Sequence, residues 1–461
     1  MFCFLCVLAW GERLIVNEET VTKRLVINAS EYDSIVFFNS KFENAVLITG
    51  NENLELINFY NCDFADLVTI SNNSALTSIT ISSGNFKKHL LINNNIIDGE
   101  VNLTDNYITG YFQFSNNCTG DEFTLGLSRI EGGISCFNNI FLSKSQINKT
   151  TISLRSVFYG NLFYAFDFND VNFGMLTMQD NYLEKYIGFI DCTITASLAI
   201  RKLNDIGNNE SNRSVSFYNT SVLGSVYFDD INTTILLYNL WQLDFYQELF
   251  IDYERLINSI GLVTDRVVHS PQNIENIAIS NPYNELSTEN LQKFKQLISR
   301  IMSGFDKRSE KDLKIKFVKW EYHYRNNFND PFKKLLNKIL FDVSFELFLN
   351  IYRPIIFSLV VCFVFMVIYL NKKTKEKDKY RYLKIDHLVN RETTDKKKRV
   401  SNVFERLFIA FGTSISVFCN IPLATKKLRE DEARNITWTQ GMFGIIMLMI
   451  IAAIVSRIAT I

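Results

Sequence analysis

The sequence predicts a multi-domain membrane protein: a β-helical solenoid, an α-helical hairpin, and C-terminal transmembrane helices with a re-entrant, pore-like segment between them. Three observations predict it. Apolar residues recur every 22 residues from 42 to 130, each with an apolar partner five residues earlier. Residues 241–350 switch to helical spacing of their apolar positions. Two uncharged apolar runs, 354–370 and 441–456, lie near the C-terminal end.

The chain of 461 residues opens MFCFLCVLAWGER, with an apolar run that stops before Gly11-Glu12-Arg13. Residues 1–10 read as the tail of a secretory signal peptide or as a buried first strand. The formal charge of −1 exerts no global pull on nucleic acid. The eight cysteines show no paired C-x-x-C spacing, so neither a metal site nor a disulfide framework is expected.

Residues 14–240 form the solenoid. Phe42, Phe64, Phe86, Ile108 and Ile130 stand 22 residues apart, and their partners are Phe37, Phe59, Ile81, Leu103 and Leu125. Later copies keep the five-residue step without strict register: Leu142/Ile147, Phe168/Phe173, Phe189/Ile194 and Phe217/Val222. A period of this length marks stacked coils with a laddered core. The Asn, Asp, Ser and Gly residues between partners fit corners, where short polar side chains tolerate left-handed backbone. Asp63, Asp105, Asp170, Asp191 and Asp229 are explained by corner formation, and no catalytic carboxylate pair is expected. No phosphate loop, dinucleotide fingerprint or zinc-protease helix occurs, and His323 in WEYHYR reads as a packed or surface residue. The chain is therefore read as non-enzymatic, with no cofactor and no metal.

From 241 the stretch WQLDFYQELFIDYERLINSIG reads as a helix, followed by two amphipathic helices in STENLQKFKQLISRIM and EKDLKIKFVKWEYHYRNNF. Together 241–330 make a hairpin or small bundle that caps the solenoid. Residues 331–350 form an amphipathic helix, with Lys333, Lys334 and Lys338 suited to a membrane surface.

Residues 354–370 are the first span and 438–458 the second, with Trp438 as an interfacial anchor. Residues 403–422 contain a short uncharged run of re-entrant length. The loop 371–402 is cytoplasmic: its 371–399 stretch holds 12 Lys/Arg against 5 Asp/Glu, a net +7. That places the solenoid outside the cytoplasm, periplasmic or extracellular, and leaves two or three crossings open.

The FYNCDF-type step resembles the pentapeptide-repeat family, and this resemblance implies a right-handed β-helix. The family favours A-[DN]-[LF]-x-x and 20-residue coils, whereas the best-kept spacing here is 22. Span, half-span and span resemble the two-transmembrane potassium-channel module. There Phe418 matches the filter aromatic, Asn420 stands where the acid is, and both filter glycines are absent. The order of parts looks like pentapeptide-repeat membrane proteins that end in such a module. The resemblance implies Thr413, Ser414, Ser416, Phe418 and Asn420 as pore-lining residues. It also implies a homo-oligomer in the lipid bilayer, because two spans and a half-span cannot enclose a channel. The expected function is a sensor or binding solenoid, for an extracytoplasmic ligand, coupled to an ion-channel-like module. The alternative is a membrane-anchored binding or adhesion solenoid that conducts nothing.

Overall fold

The computed structural model describes residues 13–28, 32–206, 213–260, 262, 286–327, 330–337, 352–371, 411, 414–415, 440–442 and 444–445. The leader at 1–10 and the loop at 372–402 lie outside them. The chain divides into two compact units, residues 1–313 and 314–461.

Residues 13–250 coil into a right-handed β-solenoid of about ten turns. Every described strand pairs in parallel with the equivalent strand one coil away. One face stacks Ser34–Phe38, Leu56–Tyr60, Ser78–Ser82, Val101–Thr104 and Phe123–Gly126. The other stacks Val46–Thr49, Val68–Ser71, Leu90–Asn93, Phe112–Ser115 and Ile134–Phe137. Two-residue strands such as Asp63–Phe64 bridge the two faces.

The expected ladders form. Phe37 pairs with Phe59, Phe59 with Ile81, Ile81 with Leu103, and Leu103 with Leu125. Phe42, Phe64, Phe86, Ile108 and Ile130 make a second column. Ring centroids of Phe42, Phe64 and Phe86 follow one another at 4.9 and 4.6 Å, close to the spacing between strands. All ten side chains are buried.

The coil differs from a square of five-residue sides. Left-handed corners fall at 39, 50, 61, 72, 83, 94, 105, 116, 127, 138, 149 and 160, each 11 residues beyond the last. A coil is therefore two half-coils. Within one half, buried residues advance by 2, 5 and 4, as in Val101, Leu103, Ile108 and Phe112. The five-residue step is the passage across a corner. Asp105, Asp170 and Asp191 occupy such corners, whereas Asp63 lies in a strand and the corner beside Asp229 belongs to Asp230.

Two expectations are corrected. Leu142 is not the partner of Ile147: it is exposed, and Ile147 continues the Leu125 column, with Ile152 five residues later on the other. The solenoid also runs past 240. The WQLDFYQELF stretch makes the last coil, with strands Leu243–Phe245 and Leu249–Phe250, because Phe245 stacks on Val222 and Leu249 on Val226. Helix α1 begins only at Tyr253 and ends at Ile260, with Asp252 accepting from the Glu254 amide at 3.0 Å.

Helix α2, Thr288–Lys307, starts at the Ser287 cap and buries Phe294, Leu297, Ile301 and Phe305. It closes the solenoid's end. Arg300 bonds Asp244 and the Phe245 carbonyl, and Arg308 reaches the Leu249 carbonyl at 3.4 Å, so two strand-edge acceptors gain donors. Helices α3, Lys311–Asn327, and α4, Pro331–Asn337, follow. The rest of the expected 331–350 helix lies outside the described residues.

Helix α5, Tyr352–Asn371, coincides with the first expected span. Its side chains are described from 355 to 367, apart from 357. Among the described residues no helix is long and apolar enough to cross a membrane. Most of 441–456 lies outside the described residues.

Candidate functional site

Two places gather polar chemistry, one in each unit. In the C-terminal unit, the Ser414 hydroxyl donates to the Cys362 carbonyl at 2.7 Å. The Gln440 amide donates to the Ser414 carbonyl at 2.9 Å and to its hydroxyl at 2.6 Å. Ser414 and Gln440 are fully buried, and Cys362 nearly so. Cys362 is midway along α5, so residues from all three expected membrane segments meet at one level of that helix. Hydrogen bonds between otherwise apolar helices hold them in a fixed register. Of the five pore-lining candidates only Ser414 is described. Thr413, Ser416, Phe418 and Asn420 lie outside the described residues.

The second place is on the outward face of the solenoid, where the 22-residue register breaks. Corner spacing shortens to 21 and 20 residues near 170 and 180, and strand pairing shifts between Phe141 and Lys144 and between Phe163 and Ala165. These bulges bring Lys144, Ala165, Tyr186 and Ser214 into one row. Bulges re-aim side chains in this way.

Asp167 is the centre. Its carboxylate is 6% exposed and takes the Lys144 ammonium at 3.0 Å and the Tyr186 hydroxyl at 3.4 Å on the same oxygen. Gly188 makes room for it, since a Cβ there would fall 2.4 Å from Asp167 Oδ1. Burial, then the Asp167 charge, pushes the Tyr186 phenol well above its ordinary value. Lys185 lies over the Tyr164 ring at 4.3 Å and bonds its hydroxyl. Further along, Arg213 bonds Asp205 at 3.4 Å. The set combines a buried carboxylate, a cation and a phenol that bond it, and an aromatic ring under a second cation. Of these, Asp167 and Tyr186 are buried and Lys144 is exposed. No group of three or more metal-ligating side chains occurs among the described residues.

The sequence reading missed this cluster, because Lys144, Asp167 and Tyr186 follow no motif. The available signal was the loss of register after 130. Irregular coils in a solenoid commonly mark its binding face.

Comparison with protein-family models, with curated proteins and with solved structures finds no match.

Proposed function

We propose that the chain is a membrane-tethered binding protein. Its β-solenoid presents a recognition surface outside the cytoplasm, and its C-terminal helices hold it in the bilayer. The observation that carries this reading is the outward face of α5. Ile355, Leu359, Phe363 and Val367, with Ile356, Val360 and Val364 beside them, form an exposed apolar stripe. The opposite stripe buries Cys362 and Met366. A helix apolar on both its packed and its open face suits hydrocarbon better than water. The uncharged run 354–370 and the basic stretch at 371–399 support the same arrangement.

The reading is non-enzymatic: the buried carboxyl group of Asp167 is tied to Lys144 and Tyr186, an arrangement suited to fixing local structure. A conducting homo-oligomer is the second reading, favoured by the convergence of 414 and 440 on the middle of α5. Ser414 argues for the tether. A residue lining a lumen between copies would be open in a single chain, and Ser414 is closed within its own.

Alkaline carbonate extraction of membranes carrying the full chain tests the tether. Retention in the pellet is expected, and release of folded chain into the supernatant would overturn it. Ion flux in liposomes separates the two readings: the tether gives none, and flux abolished by Phe418→Ala would establish the pore instead.

A further inference from the structure

One long edge of the solenoid is chemically unlike the rest. The turns that close the coils there contain Glu52, Glu55, Asp98, Glu100, Asp121 and Glu122, all exposed. Between residues 44 and 86, and again between 90 and 128, there is no Lys, Arg or His. None of the six acids joins an ion pair among the described residues, although Glu122 accepts from the Gln146 amide at 2.6 Å. Elsewhere the solenoid pairs its acids across neighbouring coils, Lys88 with Asp66 at 2.8 Å and Lys202 with Asp180 at 3.6 Å. Here the pattern reverses. Because Val101 pairs with Phe123, Glu100 and Glu122 precede them in the same row of adjacent coils, like charge above like charge. Such an arrangement costs stability in the free protein.

Beside the acids runs an apolar column. Ile96, Cys118, Ile140, Leu162 and Tyr182 are paired coil to coil in one row, and Ile96, Ile140 and Tyr182 are exposed. Leu142 is exposed next to it. A shallow groove runs among the acids, lined by Gly99, Glu100, Asp121, Glu122, Ser143 and Lys144. Apolar side chains flanked by one sign of charge are complementary to a segment that carries the opposite charge between apolar residues.

We propose that this edge docks an extended, lysine- or arginine-bearing apolar segment of a partner protein. The cations neutralise the stacked acids, and the apolar side chains cover the Ile96–Tyr182 column. The proposal rests on the solenoid being the binding part of the chain, and it supplies the class of partner.

The test uses the full chain in detergent and a fluorescent peptide of alternating Lys and Leu, read by anisotropy. A Lys–Ser alternation and a Glu–Leu alternation serve as comparisons. Saturable binding of the Lys–Leu peptide is expected. It should weaken about tenfold or more in the triple variant Glu100→Gln, Asp121→Asn, Glu122→Gln and by a similar factor in Ile140→Ser, and added salt should weaken it further. These positions are exposed, so the loss should come with an unchanged circular-dichroism spectrum, an unchanged melting temperature in Ile140→Ser and an equal or higher one in the triple variant, which relieves the stacked charges. Signal that persists undiminished in the triple variant is micelle binding and would overturn the proposal. Equal affinity for the Lys–Ser peptide would overturn it too, since the apolar column would then contribute nothing. Membrane retention is scored separately by the carbonate extraction, so loss of peptide binding from a retained protein counts against the docking edge alone.

Discussion

At the scale of single residues, the solenoid depends on an asparagine column inside one corner. Asn51, Asn73, Asn95, Asn117, Asn139, Asn161 and Asn181 hand hydrogen bonds from coil to coil. Asn117 accepts from the Asn95 backbone and side chain, both at 3.0 Å, and donates to the Ile92 carbonyl at 2.8 Å. Replacing it with Ala strands several buried partners, and each stranded group costs about 1–3 kcal/mol. Asn117→Ala should therefore destabilise by about 3 kcal/mol in urea unfolding. Its exposed neighbour Asn116, held at φ 53°, should lose only about 1 kcal/mol as Ala, which removes the short polar side chain that eases left-handed backbone and its exposed bonds to Asn94 and Asn138. Cys192 gives a pH prediction. Burial pushes its thiol from 9.0 up to about 12, against backbone hydrogen bonds that lower it. The native state thus holds the proton more tightly than the unfolded one. Its contribution to stability is intact below pH 9 and is lost as pH climbs through 12. Melting temperature should fall on alkalinisation beyond pH 9, and fall less steeply in Cys192→Val, since Val171 already fills the equivalent place one coil earlier.

At the scale of elements, the unit is the half-coil, and the sequence showed only one half of it plainly. The Phe37-to-Phe42 step repeats cleanly because both ends stay large and apolar through five coils. The matching step in the other half is disguised. Ile48 and Ile70 are followed by buried Leu54 and Leu76 six residues on, and Phe114 by the polar Thr119 five residues on. The last coil was mistaken for helix because Phe245, Leu249 and Phe250 also fit a helical face. Only the stacking on Val222, Val226 and Tyr227 decides it. The Asp167 cluster was illegible for a related reason: Lys144, Asp167 and Tyr186 share a row only through bulges. A deletion series follows from the half-coil. Removing residues 90–111, one full coil, should leave a folded, somewhat less stable solenoid with the β circular-dichroism signature intact. Removing 90–100 alone should abolish cooperative melting, since it sets a strand of one face against the other. At the Asp167 cluster, Gly188→Val would drive Asp167 from its place, so a melting loss is expected there that Gly304→Ala, where a Cβ meets only the tip of Arg308 at 3.7 Å, should not match.

At the scale of the whole molecule, two readings come together. A solenoid with a chemically distinct edge suits binding, and an apolar helix with an apolar open face suits a bilayer. The sequence supplied the span at 354–370 directly, because an uncharged run of that length is a composition signal. It did not supply the burial of Ser414, whose partners Cys362 and Gln440 are 52 and 26 residues away. If the contact is a helix lock, Ser414→Ala should lower the detergent melting temperature without altering the solenoid's own transition. The most direct measurement is spin-label accessibility on α5 in lipid bilayers, with labels at Leu359, Phe363, Val364 and Val367, and at exposed Glu100 as the aqueous reference. The tether predicts that the four α5 labels collide freely with oxygen and hardly at all with a water-soluble nickel chelate. Nickel accessibility on α5 equal to that at Glu100 would contradict it.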